Sequence, residues 1–169
     1  PFPGLVIRPE WAERVTTGPY DAYSPPERAA IAAVNQFSFL HVTRSREDVA
    51  PERRHDVEGL LNGCSAAMQR LYEVDAYVQH DEPTLFLYRL EMDKPEHGPG
   101  STHVQTGIMG LVPVTEENDR KILRHEAVRP GRTDLLAMHL TTVGASSSPV
   151  SLTFRSSDKL SQEMSRLCC

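Results

Sequence analysis

Between Asp56 and Glu73 the apolar residues Val57, Leu60, Leu61, Cys64, Ala67, Met68 and Leu71 recur at intervals of three and four. That spacing places them along one side of a helix. Gly59 and Gly63 weaken the helix without breaking the stripe, and Met68 reads as core filler rather than a ligand.

Other segments divide between helix and strand. Ser24-Pro25-Pro26-Glu27 is a helix start: serine caps, proline suits the first turn, and the glutamate three residues on completes a capping box. The helix should run over 28–34 and end near Asn35. Phe37 to Thr43, rich in aromatic and β-branched residues, predicts a buried strand. Ala76–Gln79 and Leu85–Met92 predict strands separated by a turn at Asp81-Glu82-Pro83. His103–Val114 should pair back after a loop, Asp93 to Thr102, that carries Pro95, Gly98, Pro99 and Gly100. Asp134–Thr141 predicts a helix capped by Thr133, Val150–Arg155 a strand, and Ser157–Leu167 a closing helix. With no regular alternation of strand and helix, the expected class is α+β: a mixed sheet with flanking helices in a single domain, 1–169.

At 169 residues and 39% apolar, the chain can bury one core. Eighteen basic against 23 acidic residues give a net charge of −5, which disfavours nucleic acid as a partner. No apolar run approaches the roughly 20 residues of a membrane span. Cys64, Cys168 and Cys169 lack framework or metal-ligand spacing. A cytoplasmic protein without membrane partners is expected.

The densest chemistry is Arg124-His125-Glu126, a cation, an imidazole and a carboxylate in consecutive positions, suited to acid/base work and phosphate gripping. It follows the acidic run 116–120 and precedes Pro130-Gly131. A solvated charged surface is the plain alternative. Pro19-Tyr20-Asp21 forms a compact turn able to aim Asp21, though an ordinary Asx turn explains it too. Arg89, closing an apolar strand after Tyr88, needs an anionic partner, for which Asp21 and Glu126 are candidates. The arginines 44, 46, 53 and 54 are interrupted by Glu47, Asp48 and Glu52, as in a solvated linker. Seven histidines form no paired metal motif, so no metal site is expected, and His41 reads as a satisfied core residue. Ser146-Ser147-Ser148 lacks a nucleophile elbow.

Seven blocks in order resemble the amino-terminal part of the domain-of-unknown-function family numbered 1015. They are Phe2-Pro3-Gly4-Leu5, Pro19-Tyr20-Asp21, Asn35 to Arg44, Leu85 to Leu90, Gln105-Thr106-Gly107, Arg124-His125-Glu126, and Gly144-Ala145 with Ser148-Pro149-Val150. That family looks distantly similar to ParB-like free serine kinases. The resemblance implies the amino-terminal portion of a longer architecture and a phosphotransferase acting on a small hydroxyl substrate such as free serine, with ATP or ADP and Mg. Glu126 would be the base and His125 its catalytic companion, while Arg124, Asp21, Tyr20 and Arg89 would bind substrate or phosphate. Val128 and Leu135 depart from the family pattern, and the later Asp-Gly-His-His-Arg signature is absent from the chain. The chain is therefore expected to be a fragment or a stand-alone half, inactive alone or nearly so. The competing expectation is a non-catalytic binding or assembly module of the same fold, self-associating or docking a missing carboxy-terminal half.

Overall fold

The computed structural model describes residues 1–94, 98, 100–115, 121–123, 127–147, 149–155 and 157–167. The stripe read from 56–73 forms helix α3, Val57–Glu73, and buries Leu60, Leu61, Cys64, Ala67, Met68 and Leu71. Asp56 starts it by accepting the Gly59 N–H at 2.8 Å, which satisfies one orphan donor of the first turn. Just past its end Asp75 adopts φ 56°, the left-handed turn that reverses the chain into a strand. Arg8 locks this turn, donating from Nε to the Asp75 carbonyl at 2.9 Å and pairing with its carboxylate at 2.8 Å.

The chain divides into two compact units: one of Leu5–Val78 and Arg124–Pro149, the other of Pro1–Gly4, Gln79–Leu123 and Val150–Cys169. In the first unit, strand β1 (Leu5–Ile7) pairs with β2 (Tyr77–Gln79). Helices α1 (Pro9–Val15), α2 (Pro25–Val34), α3 and α4 (Pro130–Val143) complete its regular elements. Val15, Val42, Ala76 and Val143 close over the buried face of α3, with Leu5, Ile7 and Trp11 packed against them. α4 packs on α3, and its His139 Nε2 donates to the Val42 carbonyl at 2.7 Å. Gly144 ends α4 at φ 77°, its N–H bonded to the Leu140 carbonyl at 2.9 Å.

In the second unit, β3 (Phe86–Asp93) and β4 (Thr102–Met109) pair antiparallel from Phe86↔Met109 to Asp93↔Thr102. Phe2 and Thr84 exchange backbone hydrogen bonds at 3.0 Å. The Tyr88 ring lies over Gly107, so that a Cβ there would push the ring aside. Helix α5, Asp158–Leu167, buries Met164. Five helices and two small antiparallel sheets among the described residues make the class α+β, as the sequence predicts. No helix among those residues is long and apolar enough to cross a membrane.

Local patterns mislead in four places. Phe37 to Thr43 is a turn and a 3-10 helix, Phe39–His41, not a strand. Asn35 accepts the Phe37 N–H on its side chain at 3.0 Å and the Ser38 N–H on its carbonyl at 3.1 Å, so chain reversal overrides β propensity. β4 stops at Met109 rather than Val114, ahead of Gly110 and Pro113, residues poorly suited to a ladder. α4 begins four residues before Asp134 because Pro130 suits a first helical position, and Thr133 bonds back to the Arg129 carbonyl at 3.3 Å instead of capping. Val150–Arg155 forms no strand. β1 and α1, three and seven residues long, are too short to show a period.

Leu71 is 1% exposed at the centre of this packing. Leu71→Ala should lower unfolding free energy by about 2–5 kcal/mol, against less than about 0.5 kcal/mol for Val34→Ala on an exposed site. Urea titrations followed by far-UV circular dichroism measure both.

Candidate functional site

The Pro19-Tyr20-Asp21 turn is held by a buried ionic knot. Ahead of α2, the Ser24 N–H and hydroxyl both donate to the Glu27 carboxylate, at 2.8 and 2.6 Å. These bonds hold the Glu27 carboxyl below its ordinary range. The cap fixes the first turn of α2, and Arg28 points inward from it. Arg28 Nε donates to Asp48 Oδ1 at 2.7 Å, with both side chains only 6% exposed. Arg28 Nη1 donates to the Tyr23 carbonyl at 2.5 Å, and the guanidinium lies 3.9 Å from the Tyr20 ring centroid.

Asp48 gathers the remaining partners. It accepts the Tyr20 hydroxyl and, at 2.9 Å, the Ser45 N–H. Tyr20 Oη is also 2.7 Å from Ser45 Oγ. A phenol has one proton to give, so with Asp48 taking it, Ser45 donates to the phenol. Glu47 approaches Arg28 Nη2 only to 3.8 Å, and that buried nitrogen has no hydrogen-bond partner.

The electrostatics follow from this geometry. Burial and the neighbouring Asp48 carboxylate push the Tyr20 phenol up to about 12. Burial alone would raise the Asp48 carboxyl, but hydrogen bonds from Tyr20, the Ser45 amide and Arg28 outweigh it and leave the group below its usual range. Burial works against the Arg28 charge, yet Asp48 holds that charge in place.

Other candidate residues fall elsewhere. Asp21 is exposed on the turn that Tyr20 anchors. Arg89 pairs with Glu91 two residues along β3 at 2.8 Å, where the sequence had pointed to Asp21 or Glu126. Arg124, His125 and Glu126 lie outside the described residues. The helix just after them starts with a basic end: Arg129 at the N-cap, Arg132 in the first turn, and no acid in that turn. Both arginines are exposed, and nothing lies within 4 Å of where a Gly131 Cβ would sit. Helix starts ordinarily favour negative charge, and the first turn of this one supplies none. The sequence predicts this helix from Asp134, which leaves both arginines outside it. His41 Nε2 is satisfied by the carbonyls of Ala32 and Asn35, at 3.0 and 3.1 Å. Among the described residues no three His, Cys, Asp or Glu gather as metal ligands. Burial pushes the Cys64 thiol up, away from nucleophile chemistry.

Asp48 corrects the reading of 44–54 as a solvated linker. Only the capping-box spacing of Ser45 and Asp48 could have signalled it locally. Asp48→Asn, which strands the Arg28 charge, should cost about 3–5 kcal/mol of stability. The folded carboxyl binds protons less readily than the unfolded one, so its contribution is present above the free carboxylate's value of about 3.9 and fades as pH falls through the lower folded value. The Tyr20 contribution is complete below the free phenol's value of about 10 and fades as pH rises through about 12. Denaturant midpoints across pH for the parent, Asp48→Asn and Tyr20→Phe should show a smaller acid loss in the first variant, where the lowered Glu27 carboxyl still contributes, and a smaller alkaline loss in the second, where the raised Tyr72 and Tyr77 phenols still contribute.

A family model described as "Protein of unknown function (DUF1015)" matches residues 1–168. No curated protein and no solved structure matches the chain. With nearly its whole length inside that match and the resembling blocks in order, the chain belongs to the DUF1015 family.

Proposed function

We infer that this chain supplies the hydroxyl-activating side of a small-molecule phosphotransferase, taking a substrate such as free serine and a donor of the ATP or ADP class. The observation that carries the reading is the basic start of α4, where Arg129 and Arg132 join the positive end of the helix four residues after Glu126. Transferred phosphoryl groups are handled by charge neutralisation and orientation, so such an end suits donor phosphate. Bound magnesium would share that neutralisation.

Glu126 accepts the proton of the substrate hydroxyl as its oxygen attacks the terminal phosphorus. The new O–P bond forms while the bridging P–O bond breaks, and the shortened nucleotide leaves with that electron pair. His125 orients the hydroxyl, and Arg124 neutralises phosphate charge. Asp21, exposed on its anchored turn, contributes a carboxylate for the substrate's ammonium group. Tyr20 and Arg89, with partners in the knot and in Glu91, serve structure first in this account.

Glu126→Gln should abolish ATP- or ADP-dependent formation of phosphoserine while nucleotide still binds. Arg132→Glu should weaken nucleotide binding about 10-fold or more, consistent with a lost charge-assisted contact, and flatten its dependence on salt. Isothermal titration with each nucleotide and phosphoserine detection read the two effects separately. Equal turnover by parent and Glu126→Gln removes the glutamate from the chemistry. Unchanged nucleotide affinity in Arg132→Glu removes the helix start from the site.

A further inference from the structure

One edge of β3 is filled by β4, and its other edge is empty among the described residues. The Lys94 N–H donates to the Ser101 carbonyl at 2.7 Å, which extends the β3–β4 register by one hydrogen-bonded pair. Alternation along an antiparallel ladder then turns the backbone groups of Met92, Leu90, Tyr88 and Phe86 toward β4. Those of Leu87, Arg89, Glu91 and Asp93 point outward, and no backbone group elsewhere among the described residues takes them. A two-stranded ribbon is marginal by itself, and a free edge is a template for another strand.

We propose that this edge pairs with β3 of a second copy, antiparallel, about a twofold axis at Leu90. The proposal is independent of the phosphotransfer reading, and charge selects the register. With the axis at Leu90, outward-facing residues meet outward-facing residues: Arg89 opposes Glu91 of the second copy, and Glu91 opposes its Arg89. Two cross-strand ion pairs result. An axis at Arg89 or at Glu91 sets that residue against its own copy, like charge on like charge. An axis at Met92 opposes Glu91 with Asp93, and one at Tyr88 opposes Arg89 with Leu87 and forms no ion pair.

Arg89 and Glu91 are already positioned on one face. They pair along the strand at 2.8 Å with side chains 48% and 57% exposed, so in the dimer the four groups form an alternating cluster. On the opposite face Leu90 meets itself and Tyr88 meets Met92, covering Leu90 and Met92, which are 49% and 43% exposed. Leu87 opposite Asp93 is the mismatched pair, at the two ends of the interface. The free edge of β4 offers Thr102, Val104, Thr106 and Ile108, with no charge to choose a register.

Sedimentation equilibrium of the whole chain without nucleotide should show a reversible dimer, with a dissociation constant of about 1–100 μM for so small an interface. Arg89→Glu and Glu91→Arg each set like charges across the axis and should weaken the dimer about 10-fold or more, with circular dichroism showing an intact fold. Mixing the two variants should restore parent-like affinity, because two carboxylates of one then face two guanidiniums of the other. Loss of the ion pair along a single strand predicts no rescue on mixing, so absence of rescue overturns the proposal. So does a parent that stays monomeric at about 1 mM, or a dimer that neither substitution weakens.

Discussion

The Arg28–Asp48 pair is the constraint on which the first unit's irregular half depends. With both side chains 6% exposed, neither charge has water to fall back on, and each is tolerable only because the other is in place. Asp48 ends a 3-10 turn, Arg28 lies in the first turns of α2, and Tyr20 in a second 3-10 turn. None of these short elements has enough periodic apolar surface to dock on its own. A single carboxylate accepting from Tyr20, Ser45 and Arg28 does for them what an apolar stripe does for α3.

This division explains what could be read from the sequence. α3 is legible because its buried face is written in a local period, and the capped start of α2 because cap and glutamate are three residues apart. The β3–β4 pair is legible because both strands are eight residues long and apolar at the end where Phe86 and Leu87 meet Met109 and Ile108. Phe37–Thr43 shows the opposite case. Its composition favours a strand, but Asn35 captures the following amides and turns the chain. Asp48 shows it again, since Arg28 and Tyr20 are 20 and 28 residues away and only its capping-box spacing from Ser45 sets it apart from Glu47 or Glu52.

The candidate site divides in the same way. Arg124-His125-Glu126 and Tyr20-Asp21 stand out as local clusters of chemistry. The basic start of α4 does not, because its meaning depends on where the helix begins. Ahead of a helix placed at Asp134, Arg129 and Arg132 are two surface charges; at a helix start with no acid in its first turn, they add to a dipole that already favours anions. Arg89 had invited a distant carboxylate, yet Glu91 on the same strand face was within reach.

The segment from Phe39 to Asp48 links these parts physically. Its Val42 carbonyl accepts from His139 of α4 at 2.7 Å, its Arg44 carbonyl lies 3.8 Å from the Cys64 sulfur of α3, and its Asp48 holds Tyr20 and Arg28. α4 and the Tyr20–Asp21 turn are thus tied to one short stretch of backbone that is itself seated on the core. Beside an immobilised tyrosine the backbone that carries Asp21 is restrained, and so is that of a helix whose far end is pinned to the core, while their exposed side chains keep their rotamers. In the proposed reading, a restrained backbone leaves side-chain rotamers as the entropy still to be lost when a substrate arrives, which favours positioning. The charges of the knot are consumed internally, and what it fixes is the backbone of the turn that carries Asp21, the geometry on which the proposed role of that carboxylate rests.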